Sequence, residues 1–72
     1  MVNTQYLDEK IVASGLRVGY ITEQLGICRQ AFDFKKKNKR KFKVAEIYVL
    51  CDLLKLSNEE KQAIFYAPEV NL

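Results

Sequence analysis

The chain has 72 residues, 49% of them hydrophobic, and a formal net charge of +3. That length holds one small domain and excludes a second one for catalysis, while the apolar share is too high for a disordered tail. The charge is lopsided: seven of the 12 basic residues fall in the nine positions from Lys35 to Lys43, leaving five basic against nine acidic residues elsewhere, a net of −4. A patch this dense on an acidic body points to a polyanion, most often nucleic acid, on one face. A solvated lysine-rich turn is the plainer alternative.

Sustained period-2 alternation is missing, and apolar residues recur at helical spacing, so five short helices are predicted. The first spans about Thr4 to Ser14, capped by Asn3 or Thr4, with Leu7, Ile11 and Ser14 inward, Tyr6 and Val12 flanking, and Gly15 as its stop. The second runs from about Val18 to Leu25, with Ile21 and Leu25 inward, Thr22 beside them and Gly26 at its end. The third follows Ile27, with Cys28 at the cap position, and covers about Arg29 to Lys36 or Lys37. Phe32 faces in, and Asn38 makes the closing turn, because asparagine tolerates positive φ.

The fourth helix covers about Val44 to Leu54, with an inner stripe of Val44, Ile47, Cys51 and Leu54 thickened by Leu50 and Leu53. The fifth starts at Ser57, where Ser57 and Glu60 have capping-box spacing, and buries Ile64 and Phe65 with Tyr66 close by. Pro68 forbids much continuation, so a tail is expected over about 67–72.

Enzymatic chemistry finds no footing. The chain lacks histidine, the commonest general base and metal ligand. Cys28 and Cys51 lack zinc-site spacing, and half-buried reduced thiols are the simpler account of them. Asp8-Glu9 and Glu59-Glu60 sit at helix starts, where the helix dipole favours acids. No catalytic residue, cofactor, metal or small-molecule ligand is expected. The N-terminal MVNTQYLDEK is unlike a targeting peptide, and no apolar run approaches a membrane span, so a cytoplasmic protein without a membrane partner is expected.

The segment around Ile21 to Phe32 has helix-turn-helix spacing: a small residue (Thr22) for close crossing, a glycine (Gly26) for the turn, and Ile21, Leu25, Ile27 and Phe32 to lock two helices together. Gly15-Leu16, Leu25-Gly26-Ile27, Arg29-Gln30, Phe32 and Lys39-Arg40 resemble the pattern of the lambda-repressor-like family of phage and bacterial regulators, the Cro and CI type. Phe42 to Ile47 and Leu50-Cys51 resemble the segment that follows the motif in small Gram-positive phage regulators. Within that family, length and motif are similar to the modulator-of-repression antirepressors of temperate lactococcal phages.

The resemblance covers about Leu7 to Phe65 and implies a compact all-α, five-helix lambda-repressor-like fold, one domain over 1–72 with its helix-turn-helix at about 18–37. It implies a transcriptional regulator of a phage lysis–lysogeny switch. Arg29, Gln30, Asp33 and Phe34 would contact DNA bases or a repressor. Arg17, Lys35, Lys37, Lys39, Arg40 and Lys41 would contact phosphates. The implied partners are double-stranded operator DNA and the N-terminal domain of a CI-type phage repressor. A purely DNA-binding Cro-type repressor, or a bacterial regulator or antitoxin of the same family, remains the alternative.

The chain departs from the pattern at four places. Arg17-Val18 replaces the usual Ser/Thr-Gln start of the second helix, and Tyr20 takes a normally polar position. Phe34 lies about 200° around the helix from Phe32 and cannot share its inward direction. Val18, Tyr20 and Phe34 could therefore form an apolar partner surface, or else Phe34 packs on its own loop and Tyr20 lies on the core. Lys36 stands where related sequences carry leucine, so its stem is expected to cross the core edge while its ammonium stays wet.

Overall fold

Three of the five helices start where a side chain accepts a free amide of the first turn, and most end where a residue turns left-handed. The computed structural model describes residues 1–67 and shows α1 (Thr4–Ser14), α2 (Val18–Leu25), α3 (Arg29–Lys36), α4 (Val44–Leu54) and α5 (Asn58–Phe65). No strand occurs among the described residues, so the chain is all-helical there. Of the tail expected over about 67–72, residues 68–72 lie outside the described residues.

Asn3 caps α1 by accepting the Tyr6 amide at 3.2 Å. Cys28 caps α3 through its sulfur, which accepts the Ala31 amide at 3.5 Å. Ser57 and Glu60 form the reciprocal capping box of α5. Gly15 (φ 72°) and Gly26 (φ 71°) close α1 and α2, and Asn38 (φ 63°) turns the chain after α3. The sequence holds no comparable signal for the end of α4. There Lys55 takes φ 53° and plays the part of a glycine.

The core is formed by Leu7, Ile11, Ile21, Phe32, Ile47, Leu50, Leu54, Ile64 and Phe65. α4 is its axis: α1 and α2 both pack on it, α2 also packs on α3, and α1 on α5. Phe42, from the loop between α3 and α4, sets its ring edge-on between two core aromatics. Its centroid lies 6.1 Å from that of Phe32 and 5.5 Å from that of Phe65. The loop is thereby fastened to the core at its far end.

Some inward assignments change. Val44 is 62% exposed, and the buried face of α4 is Ile47, Leu50 and Leu54 together with Glu46. Side chains tilt toward the helix N-terminus, so Val44, the first residue of α4, hangs beyond the packed face. Ser14 is exposed; its hydroxyl donates to the Ile11 carbonyl at 2.6 Å and accepts the Leu16 amide at 3.1 Å, so it serves the helix end. Cys28 is exposed rather than half-buried, whereas Cys51 is half-buried, and both are free thiols.

A left-handed lysine carries a steric cost of about 1–2 kcal/mol that glycine avoids, offset in part by the greater unfolded-state freedom of glycine. Lys55→Gly should raise stability by roughly 0.5–1 kcal/mol, read as a higher urea midpoint at unchanged slope. An unchanged midpoint would show that the lysine bears no strain there.

Candidate functional site

The link between α2 and α3 is three residues long, and each has a defined task. Gly26 supplies the left-handed turn. Ile27 is half-buried against the core, and its amide donates to the Thr22 carbonyl at 3.2 Å. Cys28 caps the next helix. Thr22 is 5% exposed, and its hydroxyl donates back to the Gly19 carbonyl at 3.0 Å, so no hydroxyl is left unpaired where α2 meets its neighbours.

This link places Arg29 and Gln30 in the first turn of α3, where both are exposed. Asp33, one turn on, pairs with Lys37 at 3.0 Å. The hydrogen bond from Lys37 holds the Asp33 carboxyl below its usual range against the opposing effect of burial, with help from the charges of Lys37, Lys36 and Lys39. Arg17 is exposed at the start of α2.

The basic run divides in two. Its first three members are engaged within the chain. Lys35 is not a surface residue: its ammonium is buried and reaches both oxygens of Glu46, at 2.6 and 2.7 Å. The phosphate role expected for Lys35 does not hold, because at that point of α3 the side chain is directed onto the first turn of α4. Lys36 crosses the core edge over the Phe32 ring, 5.5 Å from its centroid, and pairs with Asp8 of α1 at 2.8 Å. The Thr4 hydroxyl donates to the Lys36 carbonyl. Lys37 is exposed but tied to Asp33.

Lys39, Arg40, Lys41 and Lys43 are exposed, and none of them forms an ion pair among the described residues. The amides of Lys39 and Arg40 both donate to the Phe34 carbonyl, at 2.9 and 3.4 Å, folding the loop back over α3. Their cationic groups lie 5.4 and 5.8 Å from the Phe34 ring centroid. Phe34 is thus half-buried under two cations, not an open apolar contact. Val18 is half-buried against the core. Of the three apolar departures, only Tyr20, 46% exposed, stands in the open.

Glu46 is the site residue that sequence reasoning passed over. It lies third in α4, a position from which its carboxylate can reach back to the Lys43 amide, and it does so at 2.8 Å. Lys43 has no acceptor to return the bond. Burial pushes the Glu46 carboxyl up, but the Lys35 hydrogen bond, the Lys43 amide and the charges of both lysines outweigh it, and the net shift is downward. The signal available in the sequence was a single acid at a capping-box position immediately after a basic run.

Among the described residues, no group of three potential metal ligands comes together, and no helix is long and apolar enough to cross a membrane. In comparisons with family models, curated proteins and solved structures, nothing matches this chain.

Breaking the buried pair on one side should be far worse than removing it whole. Lys35→Met alone leaves an uncompensated carboxylate and should cost about 3–5 kcal/mol, while Lys35→Met with Glu46→Leu should recover most of that loss in urea unfolding. The pH dependence has a definite sign. Because the folded Glu46 value lies below the usual 4.5, its contribution is complete above pH 4.5 and disappears as pH falls through the folded value. The double variant should lose less stability than the natural chain between pH 7 and pH 3; equal losses would contradict this account.

Proposed function

We propose that this chain is a helix-turn-helix regulator of the lambda-repressor-like type, acting in a phage lysis–lysogeny switch in the host cytoplasm. α2, the Gly26-Ile27-Cys28 turn and α3 are its helix-turn-helix, and it works as an antirepressor by engaging a CI-type repressor, operator DNA, or both. The observation that carries this reading is the exposed pair Arg29 and Gln30 at the leading end of α3, with Lys39, Arg40 and Lys41 directly behind.

On DNA, α3 enters the major groove with its N-terminal end foremost. Arg29 suits a two-bonded contact to guanine, and Gln30 one to adenine. Lys39, Arg40 and Lys41, with Arg17 from α2, meet phosphates and set the register without reading sequence. Lys37 joins them by exchanging Asp33 for a phosphate.

A repressor domain as the target is favoured by a different observation. Internal pairing removes Lys35 and Lys36 from the cationic surface, while Tyr20 stays exposed. A smaller positive patch with an arginine and a tyrosine suits a protein interface, whose strongest contacts are often those residues. A Cro-type repressor, or a bacterial regulator or antitoxin of the same build, would use the same α3 surface on DNA alone.

The test is a titration of the purified protein against switch-region duplex, alone and with the N-terminal domain of the cognate repressor. If DNA is bound directly, affinity falls steeply with salt, Arg29→Ala relaxes base choice at one position by about 1–3 kcal/mol, and Lys39→Ala weakens all sequences alike. If the repressor is the target, the protein releases it from DNA, and Arg29→Ala and Tyr20→Ala reduce that release. No preference for operator over random duplex, together with no retention of the repressor, would overturn the proposal.

A further inference from the structure

The surface has a second feature that base reading leaves unused. A groove of about 430 Å³ lies between the N-terminal segment, the loop leading into α4 and the end of α5. The buried side chains of Ile47 and Phe65 and the half-buried ring of Phe42 line its interior. Met1, Val44 and Tyr66 also line it, and these are 59%, 62% and 50% exposed. Half of the large apolar side chains exposed on the described surface therefore converge on one groove, where scattered single residues would need no explanation.

The groove is preformed. Both polar groups of the Val2 backbone are held by the Asn38 side chain: the Val2 amide donates at 2.7 Å, and the Asn38 amide group donates to the Val2 carbonyl at 3.0 Å. The Asn3 amide donates to the Ile64 carbonyl at 2.7 Å, which joins the N-terminal segment to α5. Phe42 is fixed between two core rings. A site that needs no ordering loses less affinity to entropy on binding.

Its charge is one-sided. Arg40 and Lys41 line it, and among the described residues no carboxylate lines it and neither cation has an ion-pair partner. Cationic groups beside an apolar slot match a ligand that brings carboxylates next to an apolar anchor. A duplex offers phosphates but nothing to cover Met1, Val44 and Tyr66. Arg40 both lines the groove and stacks on Phe34 of α3, so the groove is continuous with the α3 surface.

We propose that this groove is a docking site for an acidic peptide segment of a partner protein, one that inserts one or two large apolar side chains between Val44 and Tyr66 and sets flanking Asp or Glu carboxylates against Arg40 and Lys41. The site shares Arg40 and Lys41 with the phosphate contacts of the proposed function but includes neither Arg29 nor Gln30, so a peptide there competes with phosphate for those two cations and leaves the base-reading end of α3 free.

The test starts from a random-peptide display selection on the full immobilised chain. The recovered peptides are then synthesised with a fluorophore and titrated by polarisation against the natural protein, Val44→Glu, Lys41→Glu and Arg29→Ala. Val44 and Lys41 are exposed, so both reversals leave the fold intact. The expected result is a recovered class with leucine, phenylalanine or similar anchors beside acids, weakened about tenfold or more by Val44→Glu and by Lys41→Glu, and unchanged by Arg29→Ala. Recovery of no common class, of basic peptides, or of peptides indifferent to Val44→Glu would overturn it. Two other occupants would overturn it as well. The chain's own residues 68–72 would be indicated if peptides bound only after Val70→Asp with Leu72→Asp. A second copy would be indicated if sedimentation showed a dimer that Val44→Glu separated. Val44→Glu leaves Arg29 and Gln30 untouched, so failure here is distinguishable from failure of the α3 reading.

Discussion

The ion pair between Lys35 and Glu46 holds α3 to α4, the axis of the core. Both side chains are more than nine-tenths buried, and the two hydrogen bonds of the ammonium go to the two oxygens of one carboxylate. Burying two charges is expensive, and a geometry of this quality is what makes it tolerable. The pair joins the last turn of α3 to the first turn of α4, and the basic loop lies between those two points. With both ends of the loop held, its middle can project cations while its course is set by the core.

The charge asymmetry has a structural meaning that the counts alone do not convey. Three lysines at the start of the run act as ties: Lys35 to α4, Lys36 to α1 through Asp8, and Lys37 back to Asp33 within its own turn. Lys10 and Glu60 add a fourth link, between α1 and α5, and that hydrogen bond holds the Glu60 carboxyl below its usual range. Part of the acidic body is therefore matched to part of the basic patch. Arg29 and Gln30 stay exposed in front, Lys39, Arg40, Lys41 and Lys43 behind, and Phe34 is a ring on which two of the cations rest. A helix of eight residues is positioned without any length to spare.

Phe42 links the two candidate surfaces. Its ring closes the core between Phe32 of α3 and Phe65 of α5, and it also lines the groove beyond Arg40 and Lys41. In so small a chain few residues serve only the core, and one loop aromatic stabilises α3 while shaping a second surface.

The helices, their caps and their stops were legible in the sequence because they rest on local chemistry. Asn3, Cys28 and Ser57 accept amides within their own first turns, and Gly15 and Gly26 turn left-handed because they lack a Cβ, Asn38 because asparagine tolerates that region. The exposure of Arg29 and Gln30 was legible too, since it follows from the cap before them and the inward Phe32 after them. The fates of Lys35, Phe34, Val44 and Lys55 were decided by tertiary structure. Lysines in a run look alike until a carboxylate 11 positions away meets one of them, and the Phe34 ring is open or covered according to how the following loop folds. Val44 carries the helical period of a core residue but, as the first residue of α4, overhangs the packed face. Lys55 has no local reason to turn left-handed; it does so because the next helix must return to a core already built. Contacts within one helical turn are short enough for sequence to dictate, whereas the pairing of charges and rings across the chain depends on which surfaces folding brings together.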